Sequence, residues 1–110
     1  MATESIRTVV DLEVETRLFS TTILHRLGRT GEALEHLRLA IESAPDRAEL
    51  YSRRAQLESE VGKYAEALED LDRFLRLSAL DFEHPDVRRA YELRSLCEQR
   101  LAEAALRTTG

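Results

Sequence analysis

A chain of 110 residues, 43% hydrophobic and 34% charged, carries enough apolar material for one small domain with a core. Its net charge of −5 and its aromatic content of three Tyr, three Phe and no Trp argue against a nucleic-acid partner, which calls for a basic surface and stacking platforms. The single cysteine, Cys97, has no second thiol for an internal disulfide and no nearby histidine at metal-ligand spacing, which suits a reducing compartment.

The first stretch, MATESIRTVVDLEVE, has no continuous apolar run that could form a signal-peptide core or span a membrane, so a cytoplasmic protein is expected. Within it Val10, Leu12 and Val14 alternate with Asp11, Glu13 and Glu15, the period of a strand, whereas Ile6, Val9 and Val10 suit a forward extension of a helix. With no second strand in the sequence to pair with, the helical reading is favoured.

Next comes an apolar stripe of Leu18, Phe19, Ile23, Leu24 and Leu27, which stops at Gly28, where a left-handed residue is tolerated. A second stripe follows at once: Ala33, Leu34, Leu37, Ala40 and Ile41 share one helical face. The break Ser43-Ala44-Pro45-Asp46 ends it, and Asp46 is placed to cap the helix after it. That third helix bears Leu50, Tyr51, Ala55, Leu57 and Val61 and stops at Gly62. A fourth repeats the second, with Ala67, Leu68, Leu71, Phe74 and Leu75. Thus GRTGEAL at 28–34 returns as GKYAEAL at 62–68, a period of 34 residues, and such periods mark stacked supersecondary units. After a further break from Ser78, Pro85 fits the first position of a fifth helix. That helix runs to about Arg107, with Val87, Ala90, Tyr91, Cys97, Leu101 and Ala104 at roughly helical spacing.

A 34-residue helix-turn-helix unit with glycine at the turn, alanine five residues later and proline near its end resembles the tetratricopeptide repeat. The resemblance implies an all-α fold, a short right-handed superhelical array of antiparallel helix pairs with about five helices. On this reading residues 1–13 are a helical N-terminal extension, 14–47 and 48–81 two repeats, 82–107 a capping helix and 108–110 a disordered tail. Tyr51, Ala55, Ala33, Ala67 and Pro45 match positions of the repeat. Arg17 stands where an aromatic is usual, Arg54 where leucine is expected, and Ala79 in place of a second proline.

Catalytic and metal-binding constellations are missing from the sequence: His25, His36 and His84 are scattered, and neither a nucleophile elbow nor a phosphate-cradling glycine loop occurs. The reading is therefore no enzyme, no cofactor and no metal. Glu66, Glu69, Asp70 and Asp72 read as a solvated helix face, with Asp72 placed to pair with Arg76, and Cys97 as a small buried apolar residue.

The resemblance implies a protein-protein interaction module that takes a peptide or helix of a partner protein along the first helices of its repeats. The groove so implied comprises Leu18, Phe19, Thr22, Arg26, Glu49, Ser52, Arg53 and Gln56, with Phe19 expected to be more core than contact and Arg53 the sharpest candidate. Family members that grip the acidic tails of Hsp70 and Hsp90 chaperones use a carboxylate clamp whose positions fall here on Leu18, Thr22, Arg53, Glu83 and Val87. Only Arg53 could hold a carboxylate there, which argues against chaperone tails as the partner. An alternative reading comes from stability: two repeats and a cap leave the N-terminal face with Ile6, Val9, Val10 and Leu12 uncovered, and a structural module or small accessory subunit could self-associate through it as a homodimer.

Overall fold

The computed structural model describes residues 2–109. They form five helices and no strand: α1 (Ala2–Arg26), α2 (Thr30–Ser43), α3 (Ala48–Glu60), α4 (Tyr64–Leu77) and α5 (Pro85–Thr109). Each packs against its sequence neighbours, and α3 also touches α5, so the chain is a helical repeat array in which consecutive helices are neighbours in space. The alternating run from Val10 to Glu15 lies inside α1. Its amides find their acceptors within the helix, so it needs no partner strand. At the far end α5 continues through Thr109, into the segment expected to be a tail, while Gly110 lies outside the described residues.

Glycine sets both tight turns. Gly28 and Gly62 have φ of 77° and 85°, the left-handed conformation in which a β-carbon is strained. Around Gly28 the amide of Arg29 donates to the carbonyl of Leu24 at 2.8 Å and that of Gly28 to His25 at 3.0 Å. Around Gly62 the amide of Lys63 donates to Glu58 at 2.8 Å and that of Gly62 to Ser59 at 3.2 Å. This pair of bonds is the Schellman arrangement, which satisfies the last carbonyls of a helix while reversing the chain. The following helices begin two residues on without side-chain caps.

The turn between α2 and α3 works differently. Asp46 does not cap α3; the N-cap position is Arg47, with extended backbone and no capping side chain. Tyr51 holds the corner instead, donating its hydroxyl to the carbonyl of Pro45 at 2.7 Å. That bond satisfies the carbonyl of a residue that has no amide hydrogen of its own to offer.

Two apolar clusters share α3. Val14 and Leu18 of α1, Ala33, Leu37 and Ala40 of α2, and Leu50 and Leu57 of α3 make the first. Tyr51 and Ala55 of α3, Ala67, Leu71 and Phe74 of α4, and Val87, Ala90 and Cys97 of α5 make the second. The helix between them buries two faces, which is why it is the spine of the array. Ala33 and Ala67 are wholly buried at equivalent places, where a methyl group lets neighbouring helices approach closely. Not every apolar residue expected in these stripes is inside: Leu27 and Val61, at the ends of their helices, are exposed. Cys97 is fully buried, and burial pushes its thiol up from the ordinary range.

Candidate functional site

Residues of α1 and α3, with Arg47 of the corner before α3, line two adjoining depressions. The larger, about 340 Å³, is lined by Glu15, Leu18, Phe19, Thr22, Arg47, Glu49 and Arg53. The smaller, about 90 Å³, is lined by Thr21, Thr22, His25, Arg26, Arg53, Gln56 and Leu57. Thr22 and Arg53 belong to both, so the two hollows form one track along the helix pair. Of the groove residues expected from sequence, all but Ser52 line it. Ser52 is half-buried and turns its hydroxyl back to the carbonyl of Glu49 at 3.1 Å.

Two placements differ from expectation. Leu18 forms floor rather than open surface, being 7% exposed within the α1/α2 cluster. Phe19, expected to be mainly core, is 68% exposed. The reason is the helix itself: adjacent residues stand about 100° apart, so once Val14, Leu18 and Thr21 fix the inward face, Phe19 must turn away from it.

The charges of the track are unevenly matched. Glu15 and Glu49 both pair with Arg47, the latter at 2.6 Å. His25 Nε2 lies 2.6 Å from Glu60 Oε2. Arg53 has no carboxylate partner among the described residues; its Nη1 donates only to the Thr22 hydroxyl at 3.3 Å. Arg26, also exposed, is without an ion-pair partner there too. The track thus presents two uncommitted guanidinium groups beside an exposed phenyl ring, a surface that can take a carboxylate and an apolar side chain together.

A second polar constellation sits between α3 and α4, away from the track. Arg54 makes a two-pronged contact with Asp70, Nε to Oδ2 and Nη2 to Oδ1, each at 2.8 Å. Asp70 is therefore buried and paired, a correction to its reading as part of a solvated acidic face. Hydrogen bonding to Asp70 holds the Arg54 guanidinium above its ordinary pKa. Beside them Glu58 is buried with Oε1 lacking a partner, and burial, reinforced by Asp70, pushes its carboxyl up to about 8. The Arg54 and Arg73 guanidiniums lie 6.0 and 5.6 Å from the Tyr51 ring. The sequence did hold a signal for this cluster, since Arg54 occupies a position where the repeat pattern expects leucine. Asp72 and Arg76 pair at 2.6 Å on the exposed side of α4.

The cluster ties α3 to α4 through the Arg54–Asp70 pair, with the unpartnered Glu58 oxygen buried beside it. Among the described residues no group of three or more His, Cys, Asp or Glu could hold a metal ion. No described helix is long and apolar enough to cross a membrane.

Residues 22–47 match the sequence profile of the tetratricopeptide repeat family. The matched stretch holds the last turns of α1, the Gly28 turn, α2 and the corner before α3, and so includes Thr22 and Arg26 of the track. No curated protein gives a significant match to the chain.

Proposed function

We propose that this chain is a non-catalytic adaptor that binds an extended peptide or a helix of a partner protein along the track between α1 and α3. Tetratricopeptide repeats are in general protein-protein interaction modules, and the family match over 22–47 gives the reading its class. The observation that carries the site is Arg53: it lines both depressions, is exposed, and is uncommitted to any carboxylate among the described residues. Where most acidic groups of the track are neutralised within the chain, the free cations Arg53 and Arg26 favour a ligand with a carboxylate, and Phe19 favours an apolar side chain beside it. The protein acts in the cytoplasm on this reading, and no nucleic acid or membrane takes part.

Peptides selected from a displayed random library on the wild-type protein test this. They should be enriched in Asp or Glu next to an apolar residue, and Arg53→Glu should weaken their binding by tenfold or more, about 1.4 kcal/mol. Lys63→Glu, at an exposed turn outside the track, serves as the control. Selected peptides that bind Arg53→Glu as tightly as wild type would sink the groove reading.

A further inference from the structure

Helix α1 carries two apolar faces. Val10, Val14, Leu18 and Leu24 point into the fold and join the α1/α2 cluster. On the opposite side Val9, Leu12, Phe19 and Ile23 stand between 42% and 68% exposed, with Ile6 and Leu27 exposed at the flanks. The outer face is not scattered. Residues 9, 12, 16, 19 and 23 follow alternating steps of three and four, the heptad spacing of a helix-to-helix seam, with β-branched Val9, Thr16 and Ile23 at the first core position and Leu12 and Phe19 at the second. The fold buries the inner face and leaves this one exposed.

We infer that the outer face of α1 is a self-association seam that packs against the same face of a second copy of the chain. Charge points to this occupant. Positions flanking the seam, 8, 15 and 22 on one side and 13, 20 and 27 on the other, hold two charged residues only, Glu13 and Glu15. Both are already engaged, Glu13 with Arg17 at 3.1 Å and with the Ser43 hydroxyl at 3.2 Å, Glu15 with Arg47. Along the row from Val9 to Ile23 a charged partner would find no uncommitted charge, whereas an identical face, equally apolar and equally quiet at its rim, is complementary to it. Composition agrees at Val9, Leu12 and Ile23, since Val or Ile at the first core position with Leu at the second favours parallel two-stranded association. So does extent: six large apolar side chains, 42% to 68% exposed, lie along this face, more than a monomeric protein ordinarily leaves in water as one patch. At the end of the row Arg26 takes the next core position, where a long cationic side chain can reach water and close the seam.

The mass of the intact chain, measured by light scattering or sedimentation from about 1 to about 100 μM, tests the seam. A dimer should dominate at the upper end. Leu12→Glu places a carboxylate in a core layer and should weaken association at least tenfold, leaving helical content and melting of the monomer unchanged; Val9→Glu is the second variant should Leu12→Glu misfold. Leu106→Glu, at a comparably exposed leucine on α5, should leave the dimer intact. A chain that is monomeric throughout overturns the inference, as does a dimer that survives both seam variants or one that Leu106→Glu dissolves. Phe19 and Arg26 belong to both the seam and the track, so association and peptide binding should compete; because Leu12 lies outside the track, loss of the dimer in Leu12→Glu with peptide binding retained separates this inference from the groove reading.

Discussion

Asp70 accepts both prongs of the Arg54 guanidinium and lies against the carboxyl of Glu58, all at one buried point between two helices. Removing it would leave a partly buried cation without its counter-charge, and Asp70→Ala should lower stability by about 2 to 4 kcal/mol in urea unfolding. Replacing both partners, Arg54→Leu with Asp70→Leu, removes the charges together and should recover most of that loss. Glu58 adds a pH dependence of unusual sign for a carboxyl. Its folded pKa, about 8, lies above the ordinary 4.5, because burial disfavours the anion, hydrogen bonding to Asp70 and repulsion from Asp70 and Glu66 favour the protonated form, and the opposing pull of Arg54 is smaller. The folded protein therefore holds a proton that the unfolded chain has released above its own pKa, so stability should fall as pH rises from about 4.5 towards 8. Chemical unfolding of wild type and Glu58→Gln across that range checks this: the variant should lose the decline and be the more stable of the two at pH 8. None of the pairing was readable from spacing, since Arg54 and Asp70 sit 16 positions apart on different helices, outside the reach of the i+4 rule that did locate Asp72 and Arg76.

Among the elements, the glycines separate backbone need from mere sequence echo. Gly28 and Gly62 are left-handed, yet a β-carbon on either would meet no neighbour within 4 Å, so what glycine supplies at these joints is conformation alone. Gly31 is helical, in the first turn of α2, and equally open. The same substitution should thus act with opposite signs: Gly62→Ala should destabilise by about 1 kcal/mol, and Gly31→Ala should stabilise by about 0.5 kcal/mol, readable as opposite shifts in thermal melting. This level was also the most legible in the sequence, because a period of 34 residues with glycine at each joint constrains helix ends and helix order together. Orientation around α1 was less so. That helix has apolar residues on two opposite sides, and a periodic pattern alone cannot say which side turns inward, so the sequence puts Leu18 and Phe19 in one stripe and one groove, with Phe19 the more core-like, whereas Leu18 is buried and Phe19 exposed. Of the candidate site, Arg53 and Thr22 could be located because they follow from helix register; the internal neutralisation of Glu15 and Glu49 by Arg47 could not, because it depends on how the corner before α3 folds.

At the scale of the whole molecule, the array is elongated, 61 × 32 × 20 Å with a radius of gyration of 15.6 Å against about 13 Å for a compact chain of this length. The excess comes from its two 25-residue helices, each about 37 Å long, which outrun their 14-residue partners α2 and α4. Residues 3–9 of α1 are exposed, and so are residues 104–108 of α5. Exposed helix ends open locally at little free-energy cost, so amides in both overhangs should exchange with solvent far faster than those of α3, which unfold only with the two clusters they bridge. The two overhangs should differ in one respect. If α1 packs on a second copy, the helix around Val9 and Leu12 becomes interior, and opening it first requires dissociation. Hydrogen exchange measured at about 1 μM and again at about 100 μM should then slow over residues 5–12 at the higher concentration and stay unchanged over residues 104–108. Equal rates in the α1 overhang at both concentrations would mean that this face stays in water, and that the exposed row from Val9 to Ile23 is not where copies of the chain meet.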